Sequence, residues 1–292
     1  MTGVFQSFAV VPLAGLALFA VAEAIARMIK LADYPLFAKS GTVGYRFLPN
    51  TRGSMLGRYR WRMNAMGLRI DHDRPPEAAS IVLLGDSTVE DGVYVDQDAT
   101  LAARLAAATG RDVYPVACPA WSLENQLAFL REHPDLYDAG TMVFVTNTQD
   151  LAALNRWETE CAQPTRRPRS HAWYKLMRAT HLPRRIAFPF LFPPWADETD
   201  RTWEISVRDF LDRFRGRIVW LFYPLREEAL GSLVPCQELC PLIEDRAETF
   251  DLGMIPGWSM ECYQDEIHPT ARGRTLLLEA IQAALARPLD RS

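Results

Sequence analysis

From Ile81 onward the chain alternates short apolar runs with amphipathic segments, and this alternation restricts the fold more than any other feature. Ile81-Val82-Leu83-Leu84 is continuously apolar and stops at Gly85, as a strand buried on both faces does. Thr100–Thr109, rich in Ala and Leu and stopped by Gly110, is expected to be a helix. Val113–Ala117 reads as a second strand, Leu123–Glu132 as a helix ending before His133-Pro134, and Met142–Thr146 as a third strand. After a break come a helix over Ile205–Phe214, a strand over Arg217–Tyr223 and a last helix over Thr270–Leu285. Such an order implies a parallel sheet covered by helices on both faces, an α/β fold. The 292 residues leave room for one such domain, assigned to 77–292, and the chain shows no internal repeat.

Composition excludes some functions. Hydrophobic residues at 49% and charged residues at 23% suit a folded body, and a net charge of −4 offers no basic field for nucleic acid. Arg166, Arg167 and Arg169, and the pair Arg184-Arg185, read as solvated loop charge, with lipid headgroups or an acidic partner as the alternative. The five cysteines, Cys118, Cys161, Cys236, Cys240 and Cys262, have no zinc-ligand spacing, so no metal site is expected. Cys236 and Cys240 would be able to bridge in an oxidising compartment, or else all five are small buried residues.

From Val4 to Ile29 the chain is almost wholly apolar, and counting through Glu23 and Arg27 reaches the ~20 residues that cross a bilayer. Residues 1–30 are therefore expected to be a single transmembrane helix, giving membrane contact through residues 4–29. A cleavable signal is the rival, since Ala20-Val21-Ala22 has the small-x-small pattern, but Met1–Ser7 carries no Lys or Arg. Arg27 and Lys30 alone would hold the body in the cytoplasm by the positive-inside tendency, but the near-absence of charge before the run makes that tendency weak. Glu23, costly in lipid, is expected to snorkel or to face another protein's helix. Residues 31–76 form a loop-rich lead-in punctuated by Pro35, Pro49, Gly53, Gly57 and Pro75-Pro76. Residues 155–202, with Trp157, Trp173 and Trp195 among arginines and prolines, break the alternation and read as an insertion, a lid or docking surface.

The chemistry falls at the end of the first strand, where Gly85-Asp86-Ser87-Thr88 follows directly. In open α/β sheets, sites form at the carboxyl ends of strands, so Ser87 stands where a nucleophile belongs. A serine hydroxyl needs a base, and Asp265-Glu266-Ile267-His268-Pro269 supplies an imidazole with a carboxylate three residues before it. His72, His133, His171 and His181 lie in no relay pattern and read as solvated or packing histidines.

Leu84-Gly85-Asp86-Ser87 followed by Gly92, with Asp265-x-x-His268-Pro269 and Gly273 near the far end, resembles the first and last blocks of the SGNH/GDSL hydrolases over roughly residues 80–286. The resemblance implies a flavodoxin-like three-layer sandwich, a Ser87–His268–Asp265 triad and no metal or organic cofactor. It also implies oxyanion donors, which would be the Ser87 N–H together with Ser122, Gln149 and Asn147. Two blocks depart from the pattern: Ser122 stands where the family has a glycine, and Asn147-Thr148-Gln149-Asp150 replaces Gly-x-Asn-Asp. The segments Gly44–Asn50 and Trp61–Arg69 are similar to stretches that precede the catalytic domain in bacterial membrane-anchored SGNH proteins, which implies an extracytoplasmic body. The expected function is a serine esterase or O-acyltransferase acting on a small acyl ester or on acyl esters of envelope carbohydrate or lipid. The alternative is a weak or inactive SGNH-fold accessory subunit bound to a membrane complex.

Overall fold

The computed structural model describes residues 3–180, 201–230 and 235–288. Five parallel strands, β5 (Ile81–Gly85), β6 (Val113–Ala117), β7 (Thr141–Thr146), β8 (Arg217–Phe222) and β9 (Glu248–Asp251), form one sheet in the order β6-β5-β7-β8-β9. This is the doubly wound, flavodoxin-like order, and its direction of travel reverses between β5 and β7. Pro115, which cannot donate to a ladder, is tolerated because β6 is an edge strand.

Alternate side chains build two cores. Val82, Leu84, Phe144 and Trp220 face helix α4 (Leu123–Glu132) and helix α6 (Thr202–Arg213), with Phe144 stacked on Trp220 at 4.0 Å between ring centres. Ile81, Leu83, Val143 and Leu221 face helix α3 (Leu101–Thr109) and the last helix, α8 (Ala271–Ala286). The helices start and stop where local chemistry says. Thr100 caps α3, Gly110 ends it at φ +67°, and Thr270 accepts the Gly273 N–H at the start of α8.

The lead-in holds two hairpins, β1 (Phe37–Ser40) with β2 (Gly44–Phe47) and β3 (Arg52–Met55) with β4 (Tyr59–Arg62). Phe37, Phe47 and Trp61 join the core on the α4 face, so the lead-in is packed against the sheet domain. Its last segment reaches further. The buried Arg69 guanidinium donates to Glu90 Oε1 at 3.0 Å and to the Glu90, Gly92 and Val95 carbonyls, binding the stretch that follows Ser87.

Residues Gly3–Met28 form one helix, α1. Among the described residues no helix is long and apolar enough to cross a membrane. The expected transmembrane helix over residues 1–30 is therefore corrected: its ~20-residue span was reached only by letting Glu23 and Arg27 sit in lipid. Glu23 instead accepts hydrogen bonds from Ser170, His171 and Ala172 at the start of helix α5 (His171–Thr180), and Arg27 reaches the Arg169 carbonyl. Part of the insertion is thus ordered against α1. Its remainder, with Trp195 and Arg184-Arg185, lies outside the described residues, as does His181. All five cysteines are free thiols; Cys236, Cys118 and Cys262 are buried, and Cys240 belongs to a short helix, α7 (Cys240–Ile243).

Candidate active site

Strand β5 delivers the chain to the carboxyl edge of the sheet beside the β5/β7 switch point. There it turns at Asp86 into a one-turn helix, α2 (Ser87–Glu90). Gly85 permits the turn, because a Cβ there would lie 2.4 Å from Val89 Cγ2. Ser87 is the first helical residue, and Asp86, at the N-cap, accepts the Thr88 N–H at 2.8 Å. From the other end of the domain, the loop before α8 brings His268 Nε2 to 3.0 Å from Ser87 Oγ. His268 Nδ1 lies 2.8 Å from Asp265 Oδ2, whose other oxygen accepts the Ile267 and His268 backbone N–H groups. Burial pushes the Asp265 carboxyl up, but those three donors outweigh it and hold the group below the usual aspartate range.

The same loop is fastened from below. Tyr223 Oη donates to the Ile267 carbonyl at 2.6 Å, Gln264 N–H to the His268 carbonyl, and Thr270 N–H to the Cys262 carbonyl. Gly273 is required there, since its Cβ would stand 2.3 Å from that Cys262 oxygen. These contacts fix the imidazole's position without touching it. The three residues Ser87, His268 and Asp265 therefore form one hydrogen-bonded chain at the rim of a cleft of about 750 Å³.

Ser122, Asn147 and Gln149 do not line that cleft. The Ser122 N–H donates to Asn125 Oδ1 at 2.9 Å in a reciprocal cap of α4, so it is committed. Asn147 is buried behind Ser87, its amide donating to Asp150 Oδ2 at 3.1 Å and Asp86 Oδ2 at 3.4 Å. Gln149 is exposed in a 3₁₀ turn, donating its backbone N–H to Asn147 Oδ1. Asn147 instead stands between two carboxylates whose burial pushes them above the aspartate range, Asp150 strongly. It thereby holds the Asp86 turn from beneath.

Ala120, which sequence reading passed over, lines the cleft with φ +59°, a left-handed conformation that favours glycine. Its carbonyl accepts from Asn155 Nδ2 at 2.9 Å, and its N–H has no partner among the described residues. The signal in the sequence was the pair Pro119-Ala120 just before the helix cap: a turn with a small residue where glycine is otherwise needed. Among the described residues no cluster of three or more His, Cys, Asp or Glu side chains forms a metal site.

No protein-family model matches the sequence, and no curated protein matches it. In three dimensions the chain is similar to a GDSL-like lipase from Bacteroides thetaiotaomicron, at 12% identity and TM-score 0.38, over 73% of this chain and 91% of that one. It is also similar to an acetyl xylan esterase from Butyrivibrio proteoclasticus, at 14% identity and TM-score 0.38, over 73% and 66%. A carbohydrate esterase is similar over 89% of this chain and 85% of its own, at 13% identity and TM-score 0.43.

Proposed function

We propose that the protein is a serine ester hydrolase or O-acyltransferase of the SGNH type. The observation that carries this reading is the 3.0 Å contact of Ser87 Oγ with His268 Nε2, continued to Asp265. As Ser87 Oγ attacks an acyl carbonyl, His268 Nε2 takes its proton and Asp265 stabilises the imidazolium. The negative charge that develops on the carbonyl oxygen would be met by the N–H groups of Ser87, at the start of α2, and of Ala120. Collapse breaks the ester C–O bond, His268 returns the proton to the departing alcohol, and the acyl group stays on Ser87. Water, or a sugar hydroxyl in a transferase, then takes the acyl group, with His268 as base. Acyl esters of envelope carbohydrate or lipid are the substrate class proposed.

A second reading is favoured by one observation: the Ser122 N–H and the Asn147 amide are committed to internal hydrogen bonds, and Gln149 does not line the cleft. On that reading the fold is an accessory subunit of a membrane complex. A fluorophosphonate probe separates the two. Labelling of the unaltered protein, abolished in Ser87→Ala, supports the enzyme; an unlabelled protein supports the accessory role. Membrane association, with the body extracytoplasmic, belongs to the same proposal and rests on the exposed Leu16, Leu18, Phe19, Val21 and Ile25 of α1. Recovery of the intact chain in the soluble fraction without detergent would overturn it.

A further inference from the structure

The cleft in front of Ser87 is lined at one part by two cations from the insertion, Lys175 and Arg178 of α5. Lys175 Nζ donates to Tyr94 Oη at 2.8 Å and Tyr34 Oη at 3.1 Å. An ammonium has three donors, so these two bonds leave one. The Arg178 guanidinium lies 4.5 Å from the centre of the Tyr34 ring, and its Nη1 donates to the Cys161 and Ala162 carbonyls and to Tyr174 Oη. Every partner named is neutral. Among the described residues no carboxylate lies within ion-pair distance of either cation.

The carboxylates that line the same cleft are engaged elsewhere. Glu90 pairs with Arg69 at 3.0 Å, Asp265 with His268, and Asp91 stands 3.8 Å from Arg274. Glu158 has an interaction of its own. Burial would pull Lys175 down, but the Tyr94 and Tyr34 hydroxyls hold its pKa above the usual lysine range, so it stays charged. Two half-buried cations held side by side by phenols and carbonyls, on the wall of a cleft, are short of a counter-charge. A guanidinium beside an ammonium offers a forked and a point donor to one oxyanion.

From this we infer that Lys175 and Arg178 form an anion subsite, so that the substrate is an ester bearing a carboxylate or phosphate group apart from its reacting carbonyl. The inference rests on the esterase reading for the word substrate, but the subsite is testable without turnover. Ser87→Ala protein is titrated, by ligand-observed NMR at low salt, with three unreactive analogues of one shape: 4-acetamidobenzoate, 4-acetamidophenyl phosphate and neutral 4-acetamidobenzamide. One or both anions are expected to bind about tenfold or more tightly than the amide, and which anion does so identifies the group recognised. The preference should shrink as salt is raised. Lys175→Met and Arg178→Met should each remove most of it, and Lys175→Arg should keep it. Equal affinity for all three compounds, no binding of any, or a preference that survives both Met variants would overturn the subsite. Failure of fluorophosphonate labelling would sink the esterase reading and leave these titrations standing.

Discussion

The Glu23 carboxylate accepts the backbone N–H of Ala172 at 3.0 Å, across 149 residues of sequence. It also accepts the His171 N–H at 3.0 Å and the Ser170 hydroxyl at 2.7 Å. A side chain of α1 thus adds to the cap that Ser170 gives α5 by accepting the Trp173 N–H at 3.1 Å, and places negative charge at that helix's N-terminus. Burial alone would raise the Glu23 carboxyl, yet the bonds from Ala172, Ser170, His171 and Arg27 prevail and lower it to about 2. With a depressed pKa, the stabilisation is complete above the ordinary glutamate value and is lost as pH falls through about 2. Across the physiological range the clamp is closed.

Glu23→Ala is expected to strip the His171 and Ala172 N–H groups of their acceptor and leave α5 capped by Ser170 alone, at a cost of about 1 kcal/mol. Amide exchange should accelerate across His171–Thr180 and stay unchanged in β5, β7 and β8, because those strands lie in separate cores. Unaltered exchange in α5 would show that α1 does not support it.

Arg69 and Glu90 form an ion pair with both side chains almost fully buried, at 4% and 2% exposure. Removing one partner leaves an uncompensated charge inside the protein, so Arg69→Met should cost about 3–5 kcal/mol in urea denaturation. Adding Glu90→Gln should recover part of that loss, since the stranded carboxylate is then gone. Strict additivity of the two substitutions would mean that the pair is not coupled.

Strands β5 to β8 were legible because they are buried on both faces, which writes a continuous apolar run such as Ile81–Leu84 or Met142–Thr146 into the sequence, whereas the part-exposed edge strand β9 (Glu248–Asp251) carries no such run and was missed. Ser87 and His268 were legible because a strand's carboxyl end and a loop just before a helix are fixed by local pattern. The oxyanion side was not. Ser122, Asn147 and Gln149 were placed by their positions in the resembling blocks, whereas their hydrogen bonds are decided by the neighbours that reach them, Asn125 for Ser122 and Asp150 for Asn147. The α1–α5 contact was equally hidden, because apolar runs report burial without naming what a single carboxylate in their midst will bind. Glu23 was read as a group for lipid or a partner helix; it serves this chain's own insertion.

Asp91 is a buried acid with one satisfied oxygen. Its Oδ2 accepts the Leu101 N–H, while Oδ1 has no hydrogen-bond partner among the described residues. Burial raises its pKa from 3.8 to about 6, with Leu101 and Arg274 opposing. The native state therefore keeps a proton that the unfolded chain releases, and this contribution, present below about pH 4, disappears as pH rises through about 6. Asp91→Asn cannot ionise, so its stability relative to the unaltered protein should climb between pH 4 and 6 and then level off. The gain is at most about 2–3 kcal/mol. Urea midpoints at four pH values from 4 to 7 check this; a difference that does not vary with pH would contradict the buried-acid account.

Asp265 offers both oxygens to the imidazole but only one to the backbone of its loop, and that asymmetry makes one substitution unusually informative. Oδ1 accepts the Ile267 and His268 backbone N–H groups at 3.0 and 2.8 Å, and His268 Nδ1 lies 2.8 Å from Oδ2 and 3.1 Å from Oδ1. In Asp265→Asn the amide oxygen is expected to keep the two backbone donors, since an amide nitrogen in that place would meet them donor to donor. That leaves the amide N–H pointing at Nδ1, which must then be the acceptor, so the ring proton moves to Nε2. An Nε2–H cannot take the proton of Ser87 Oγ. Geometry survives and base catalysis does not. If the protein is the esterase proposed, kcat on a simple aryl acetate should fall by about 10³–10⁴ with KM little changed. Asp265→Ala frees the ring to flip and lets water reach Nδ1, so it should be less damaging than the isosteric change. An Asp265→Asn protein within tenfold of the unaltered rate, with His268→Ala inactive, would show that Asp265 does not orient the imidazole.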